Sequence, residues 1–123
     1  MDCITIISAA SYSARDYAIS FLKSGFVANE FRFQYDLNHL LCSGELTNEN
    51  FPLIIKGYLK SIPLELRIYP LTAGYGGEGP HNLLEVLTAA GFPVDEEAIF
   101  TEKWARHGKI SFSGDKSGMK IDF

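Results

Sequence analysis

Two short segments in which apolar and polar residues alternate strictly constrain the fold of this chain more than any other feature. The segment 31–36 (FRFQYD) alternates aromatic with polar residues, and 64–71 (LELRIYPL) alternates with Glu65 and Arg67 on the outward side. Successive side chains of a strand point to opposite faces, so each segment is predicted to be a half-buried strand. The segment 40–46 (LLCSGEL) is the predicted hairpin partner of the first.

The remaining elements of the N-terminal half follow from composition and end signals. Residues 3–9 (CITIISA) form an apolar, β-branched run that predicts a central strand buried on both faces. Residues 13–26 predict a helix that Ser13 caps and that ends at Gly25 in the left-handed conformation. Residues 48–62 also predict a helix, because their apolar residues recur at helical spacing.

The C-terminal half predicts two helices and a hairpin. A helix over 80–90 opens at a Gly-Pro pair and stops at Gly-Phe-Pro. A second helix over 95–108 is indicated by acids in its first turn and basic residues at its end, although 99–105 could instead be a strand. The segments 109–113 and 118–123 predict a closing hairpin around a four-residue turn.

The predicted order is therefore β-α-β-β-α-β, which is the split βαβ order of a ferredoxin-like sheet. We expect a single α+β domain over 1–123, with two helices on one face and a C-terminal helix and hairpin added. In this arrangement 3–9 would be a central strand and 31–36 would lie at an edge. The RNA-recognition version of the fold needs aromatic residues on the central strands. Neither 3–9 nor 40–46 has one.

Charge and cysteine content bound the class of protein. The 123 residues carry 15 acids and 11 bases, a formal net charge of −4. An acidic chain with scattered lysines and arginines lacks the basic face of a nucleic-acid binder and suits a basic protein partner.

Cys3 and Cys42 both fall in predicted strands and lack a metal or redox spacing, so buried thiols are expected. No segment has the length of a membrane span, and we expect a cytoplasmic protein.

A glycine-rich stretch, 72-TAGYGGEGPHNLLEVL-87, follows one predicted strand and opens a helix. It contains four glycines, Gly74, Gly76, Gly77 and Gly79, and the spacing Gly74-x-Gly76-x-x-Gly79 matches the phosphate-cradling pattern of dinucleotide sites. Against that reading, too little chain follows for such a fold, Glu78 places a negative charge in the cradle, and Pro80 removes an amide. We expect these glycines to adopt positive φ and to present Tyr75 and Glu78 on a surface loop for a partner.

The other polar residues form no catalytic or metal-binding pattern. His39, His81 and His107 have no nucleophile or second base at an informative spacing, although an enzyme that uses His39 or His81 remains a weaker alternative. Three consecutive acids, Asp95, Glu96 and Glu97, are first-turn acids of a helix, and adjacent helical residues point in different directions. No cofactor and no metal are expected.

In size, acidity and lack of catalytic residues, the whole chain resembles the small immunity proteins of contact-dependent inhibition and related polymorphic toxin systems. The resemblance is to the class, which shares no common motif and no common fold. It implies that the protein is not an enzyme but binds a cognate toxin, often a basic nuclease, and covers its active site. The residues expected to contact the toxin are Tyr75, Glu78, His81, Asp95, Glu96 and Glu97. The alternative is a small-molecule-sensing regulatory domain, since such domains also use the β-α-β-β-α-β order.

Overall fold

The computed structural model describes residues 2–36, 51–73, 76–101 and 109–122. These residues form six strands and three helices that follow one another as β1 (Asp2–Ile7), α1 (Ser11–Leu22), β2 (Phe26–Asp36), β3 (Leu53–Leu59), β4 (Ile62–Tyr69), α2 (Glu78–Ala89), α3 (Glu96–Phe100), β5 (Lys109–Asp115) and β6 (Gly118–Asp122). The strands join in one mixed sheet of order β1-β4-β3-β2-β5-β6. The predicted α+β class is confirmed, but the strand order differs from the ferredoxin-like order.

One face of this sheet and the helices enclose the core. In register across the sheet, Leu66 of β4 lies beside Ile55 of β3, which lies beside Phe31 of β2. Phe33 stacks on Phe112 of β5 with ring centroids 4.9 Å apart. The helices contribute a row of small and branched side chains to the same cluster, with exposures of 8% or less: Ala14, Ala18, Leu22, Leu83, Val86, Leu87 and Ile99. Burial of this apolar surface drives the assembly of the helices on the sheet.

The pairing of β1 with β4 is parallel, whereas the other neighbouring strands pair antiparallel. Ile7 at the end of β1 therefore lies opposite Tyr69 at the end of β4. A helix follows each of these two strands, α1 after β1 and α2 after β4. Both helices consequently begin at the same edge of the sheet and run side by side.

The prediction that residues 3–9 form a central strand buried on both faces is wrong. β1 lies at one end of the sheet that the described residues form, and its side chains are exposed apart from the partly buried Ile6. Cys3 is likewise exposed rather than buried. An apolar β-branched run is typical of strands in general and does not distinguish a central parallel strand from an edge strand.

The helix predicted over 48–62 is wrong where the structure describes it, because 53–59 is the strand β3. The turn to β4 consists of Lys60 and Ser61 alone, with φ of 50° and 70°. Positive φ at both central residues is the signature of a type I′ turn, which asparagine and glycine normally occupy. Without that signal in the sequence, the recurring apolar residues of 48–62 match a helix as well as a strand.

The strand at 31–36 is confirmed, but its predicted place at an edge is wrong. It extends to Phe26–Asp36 and pairs with β3 on one side and β5 on the other. The predicted partner at 40–46 lies outside the described residues. A bulge between Ala28 and Glu30 bends the strand beside Gly57. A Cβ at position 57 would stand 2.1 Å from the Val27 carbonyl oxygen, so only glycine fits this close approach.

Helix ends match the sequence signals only in part. α1 begins at Ser11, its N-cap is Ala10, and no side chain caps it, so the predicted Ser13 cap is wrong. The predicted positive φ of Gly25 is confirmed at 108°. At the end of α2, the N–H of Phe92 donates to the Leu87 carbonyl at 3.1 Å, while Gly91 has φ of 87°. This is a Schellman motif, and its glycine stops the helix where the sequence predicts.

The predicted C-terminal hairpin is confirmed, and the last helix is shorter than predicted. α3 spans only Glu96–Phe100 and Thr101 is extended, whereas 102–108 lies outside the described residues. β5 and β6 pair around a turn at Lys116. The Lys116 ammonium donates to the Ala90 carbonyl at the end of α2 and lies 4.7 Å from the centre of the Phe92 ring. The hairpin turn is therefore attached to the C-terminal end of α2.

The left-handed turn at Lys60 and Ser61 predicts a stabilising substitution. Ser61→Gly removes a strained backbone conformation, and we expect the free energy of unfolding to rise by about 0.5–1 kcal/mol. Urea titration measures the change as a shift of the midpoint at constant slope. The control is Ser20→Gly in α1, where the same change should lower stability by about 0.5 kcal/mol. A loss of stability for Ser61→Gly would contradict the turn geometry.

Candidate functional site

A buried polar contact joins the first turns of α1 and α2. Asn82 is 0% exposed, and its side-chain oxygen accepts a hydrogen bond from Arg15 Nη1 at 2.9 Å. Its side-chain nitrogen donates to Ser11 Oγ at 2.8 Å. Both polar atoms of the amide are thus satisfied, as a buried side chain requires. The contact fixes the register of the two helices at the edge where β1 and β4 end.

Charged residues continue this contact outward to the solvent. Arg15 forms ion pairs with Asp16 at 2.9 Å and with Glu85 at 3.1 Å. The hydrogen bond that Arg15 donates to Asp16, together with the two carboxylate charges, raises the pKa of Arg15 above its ordinary value, so the guanidinium stays cationic. His81 lies one turn before Glu85, with 3.4 Å between its Nε2 and the carboxylate. Within the protein, Arg15 therefore bonds to Asn82 and forms ion pairs with Asp16 and Glu85.

A groove of about 630 Å³ runs between the two helices, and the residues of these ion pairs form part of its lining. We call it the α1–α2 groove. It has an apolar floor and a charged rim, and it is lined by Arg15, Asp16, Ile19, Lys23, Leu84, Glu85, Thr88, Ala89 and Glu96. Three carboxylates and two cations make up the charged part of the lining. Such a surface can hold an apolar group flanked by positive charge.

The negative charge of the chain is concentrated on the helices. The stretches 11–25 and 76–101, which hold all three helices, contain six acids and two bases, a balance of −4. This equals the formal net charge of all 123 residues. The described strands with their turns, over 2–10, 26–36, 51–73 and 109–122, contain six acids and seven bases. Within the described part of the chain, the negative charge therefore lies on the helical layer, and the sheet is close to neutral.

The structure distributes the predicted contact residues over this layer. Glu78 is exposed as the first residue of α2, and His81 is exposed on the next turn. Asp95 is the N-cap of α3, where its carboxylate accepts a hydrogen bond from the N–H of Glu97 at 3.1 Å. Glu96 reaches the α1–α2 groove. The structure brings Glu96 together with the groove-lining residues but leaves Glu78 and Glu97 outside the lining.

The glycine-rich loop is described only in part, since Gly74 and Tyr75 lie outside the described residues. The expected positive φ is wrong for the other three glycines, Gly76, Gly77 and Gly79. Gly77 is the extended N-cap of α2, and Gly79 is buried within the first turn. Gly77 and Gly79 therefore form the start of α2 rather than left-handed turns, and Gly76 before them is exposed.

Sequence reasoning missed the residues of α1 and the later turns of α2 that line the groove. Arg15, Ile19 and Lys23 recur at every fourth position, beside the buried row of Ala14 and Ala18. This spacing marks a second stripe on the helix. The sequence contains that signal, but only the packing of α1 against α2 shows that the stripe faces a partner helix.

Comparison with protein-family models, with curated proteins and with solved structures finds no match to this chain. Among the described residues, no helix combines the length and apolar character that crossing a bilayer requires. The same part of the chain contains no group of three or more histidine, cysteine or acidic side chains positioned to hold a metal ion.

The buried amide of Asn82 predicts a measurable coupling between the helices. Asn82→Ala removes two hydrogen bonds and leaves a small void, so we expect the free energy of unfolding to fall by about 1–3 kcal/mol. Chemical denaturation measures this loss. Glu78→Ala, an exposed change in the same helix, should stay within about 0.5 kcal/mol of the parent.

A double-mutant cycle isolates the contact between the helices. Ser11→Ala combined with Asn82→Ala should cost less than the sum of the single changes, by about 0.5–1.5 kcal/mol. Strict additivity would show that the hydrogen bond between these two side chains contributes nothing to stability.

Proposed function

We propose that this protein is a non-enzymatic inhibitor of the immunity type, which binds a basic toxin in the cytoplasm through its helical layer and covers the toxin's active site. The observation that supports the proposal is the charge balance of the described residues, six acids and two bases on the helical stretches against six acids and seven bases on the strands and their turns. An acidic surface attracts a basic partner at long range and accelerates the first encounter.

The α1–α2 groove provides the short-range part of this interaction. Ile19 and Leu84 offer an apolar floor, and the carboxylates of Asp16, Glu85 and Glu96 stand around it. A lysine or arginine side chain of the toxin matches this lining, because its aliphatic stem packs on apolar surface while its charge meets a carboxylate. A nuclease, whose active-site cleft is lined by such residues to bind phosphates, is the partner class that fits best.

A charge-reversal pair tests the proposal. The double variant Glu96→Lys/Glu97→Lys changes the net charge by +4 on the helical layer, where we expect the association rate with the toxin encoded by the adjacent gene to fall by about tenfold or more at low salt. Surface plasmon resonance at several salt concentrations measures this rate. The loss should shrink as salt rises, because salt screens the long-range attraction.

The matched control reverses the same number of charges on the sheet. Glu30 is exposed on β2, and Asp115 is exposed at the end of β5. Glu30→Lys/Asp115→Lys should leave the association rate within about twofold of the parent if the helical layer forms the interface. Equal losses for the two variants would show that only the total charge matters. Failure of the parent chain to protect cells that express the toxin would contradict the proposal.

A small-molecule-sensing role is the second candidate, and the size of the groove favours it. A volume of about 630 Å³ lies within the ~300–1,000 Å³ of typical ligand pockets. A thermal-shift screen of metabolites separates the two roles. A ligand at 100 times its dissociation constant adds about 2.7 kcal/mol of stability. An inhibitor would respond to its protein partner and to no metabolite.

A further inference from the structure

The outer edge of β1 is an exposed strand that the proposed function does not use. Ile7 is 60% exposed and Ile4 is 37% exposed, and Thr5 between them is exposed as well. β1 is the last strand on its side of the sheet formed by the described residues, with β4 as its neighbour. An exposed edge of this kind can accept another strand.

The hydrogen-bonding direction of this edge follows from one contact. The N–H of Ser8 donates to the carbonyl of Tyr69 in β4 at 3.1 Å. Main-chain groups of alternate residues in a strand point to opposite sides, so the even-numbered residues of β1 face β4. The N–H and C=O groups of Thr5 and Ile7 therefore point outward, away from the sheet.

The residues of β1 itself lack the side chains by which proteins protect exposed strands. The β1 sequence, DCITII, contains no lysine, arginine or proline, and its only charge is at its first residue. β6 at the opposite end of the sheet differs, because it carries an exposed Lys120 in the middle of a five-residue strand. Charged side chains at an edge disfavour strand addition. Of the two end strands that the described residues form, β1 is therefore the better suited to pairing.

We propose that β1 pairs antiparallel with β1 of a second copy of this chain, across a two-fold axis at Thr5. In this register Thr5 faces its own counterpart, Ile4 faces Ile6 of the other copy, and Cys3 faces Ile7. Residues opposite each other lie on the same face of the joined sheet, so the pairs match in polarity on both faces. The outward groups of Thr5 and Ile7 supply the hydrogen bonds.

A second copy fits this edge because the strand is complementary to itself in that register. Moving the axis to Ile4 would place Asp2 opposite Ile6 and bury a carboxylate against an apolar side chain. With the axis at Thr5, no charged residue lies opposite an apolar one and no like charges meet. One strand pair buries less than the ~1,600 Å² of a typical stable complex, so the dimer should be weak and concentration-dependent.

Cysteine cross-linking tests the register directly. In a Cys3→Ser/Cys42→Ser background, Thr5→Cys places two thiols opposite each other across the axis, where the Cα atoms of a hydrogen-bonded pair are about 5.5 Å apart, within the ~4.4–6.8 Å that a disulfide spans. Ile7→Cys is the matched control, because its two copies would be roughly 13 Å apart along the strands. We expect a covalent dimer for Thr5→Cys alone. Equal cross-linking of both variants, or of neither, overturns the register.

Charge pairing tests the dimer without a covalent bond. Thr5→Lys and Thr5→Glu each place like charges opposite one another, so each variant alone should be monomeric by sedimentation velocity. Their equimolar mixture should form dimers again, because the opposed charges then attract. Val27→Lys, at an exposed position away from this edge, should sediment like the parent.

The proposal fails if the parent chain remains a monomer across about a hundredfold range of concentration, or if Thr5→Lys dimerises as the parent does. If a strand of a different protein occupies the edge, the parent would remain a monomer in isolation, which also counts against the proposal. The β1 edge is separate from the α1–α2 groove. Loss of toxin binding and loss of dimerisation can therefore be told apart with the same set of variants.

Discussion

The parallel pairing of β1 with β4 is the constraint on which the rest of the structure depends. Because the two strands run the same way, the helices that follow them begin at the same edge, and in this structure both pack on the same face of the sheet. The two helices then meet along their length, and the groove between them is a direct result. Antiparallel pairing would have separated the two helix starts by the length of a strand.

Asn82 fixes the register of α2 against α1. A purely apolar contact between two helices can slide by a turn at little cost, because many packings bury similar area. The amide of Asn82 has to find one donor and one acceptor while fully buried, and Arg15 and Ser11 supply them in a single alignment. The same alignment sets which charged side chains reach the rim of the groove, so burial and surface charge are linked through one residue.

The sequence predicted local structure correctly where a residue pattern is compatible with only one type of element. The alternation at 31–36, the glycine stop at Gly91 and the closing hairpin are all present, because each depends on neighbours in the chain. The strand over 53–59 was missed, since its apolar spacing also fits a helix and its turn lacks the residues that normally mark one. Strand order and the composition of the groove depend on contacts far apart in sequence, which periodicity does not report. Glu96 could be named from the sequence as a surface acid, but its position beside Lys23 and Glu85 could not.

The attachment of Lys116 to the end of α2 lowers the conformational entropy that the protein would lose when a partner binds along this helix. Asn82 secures this helix near its start, and Lys116 with Phe92 secures its end to the β-hairpin. Because α2 is held at both ends, its exposed face has little conformational entropy left to lose on binding. Any molecule that docks along α2 therefore meets a surface already in its final shape, and the entropy spent on ordering falls on the incoming molecule.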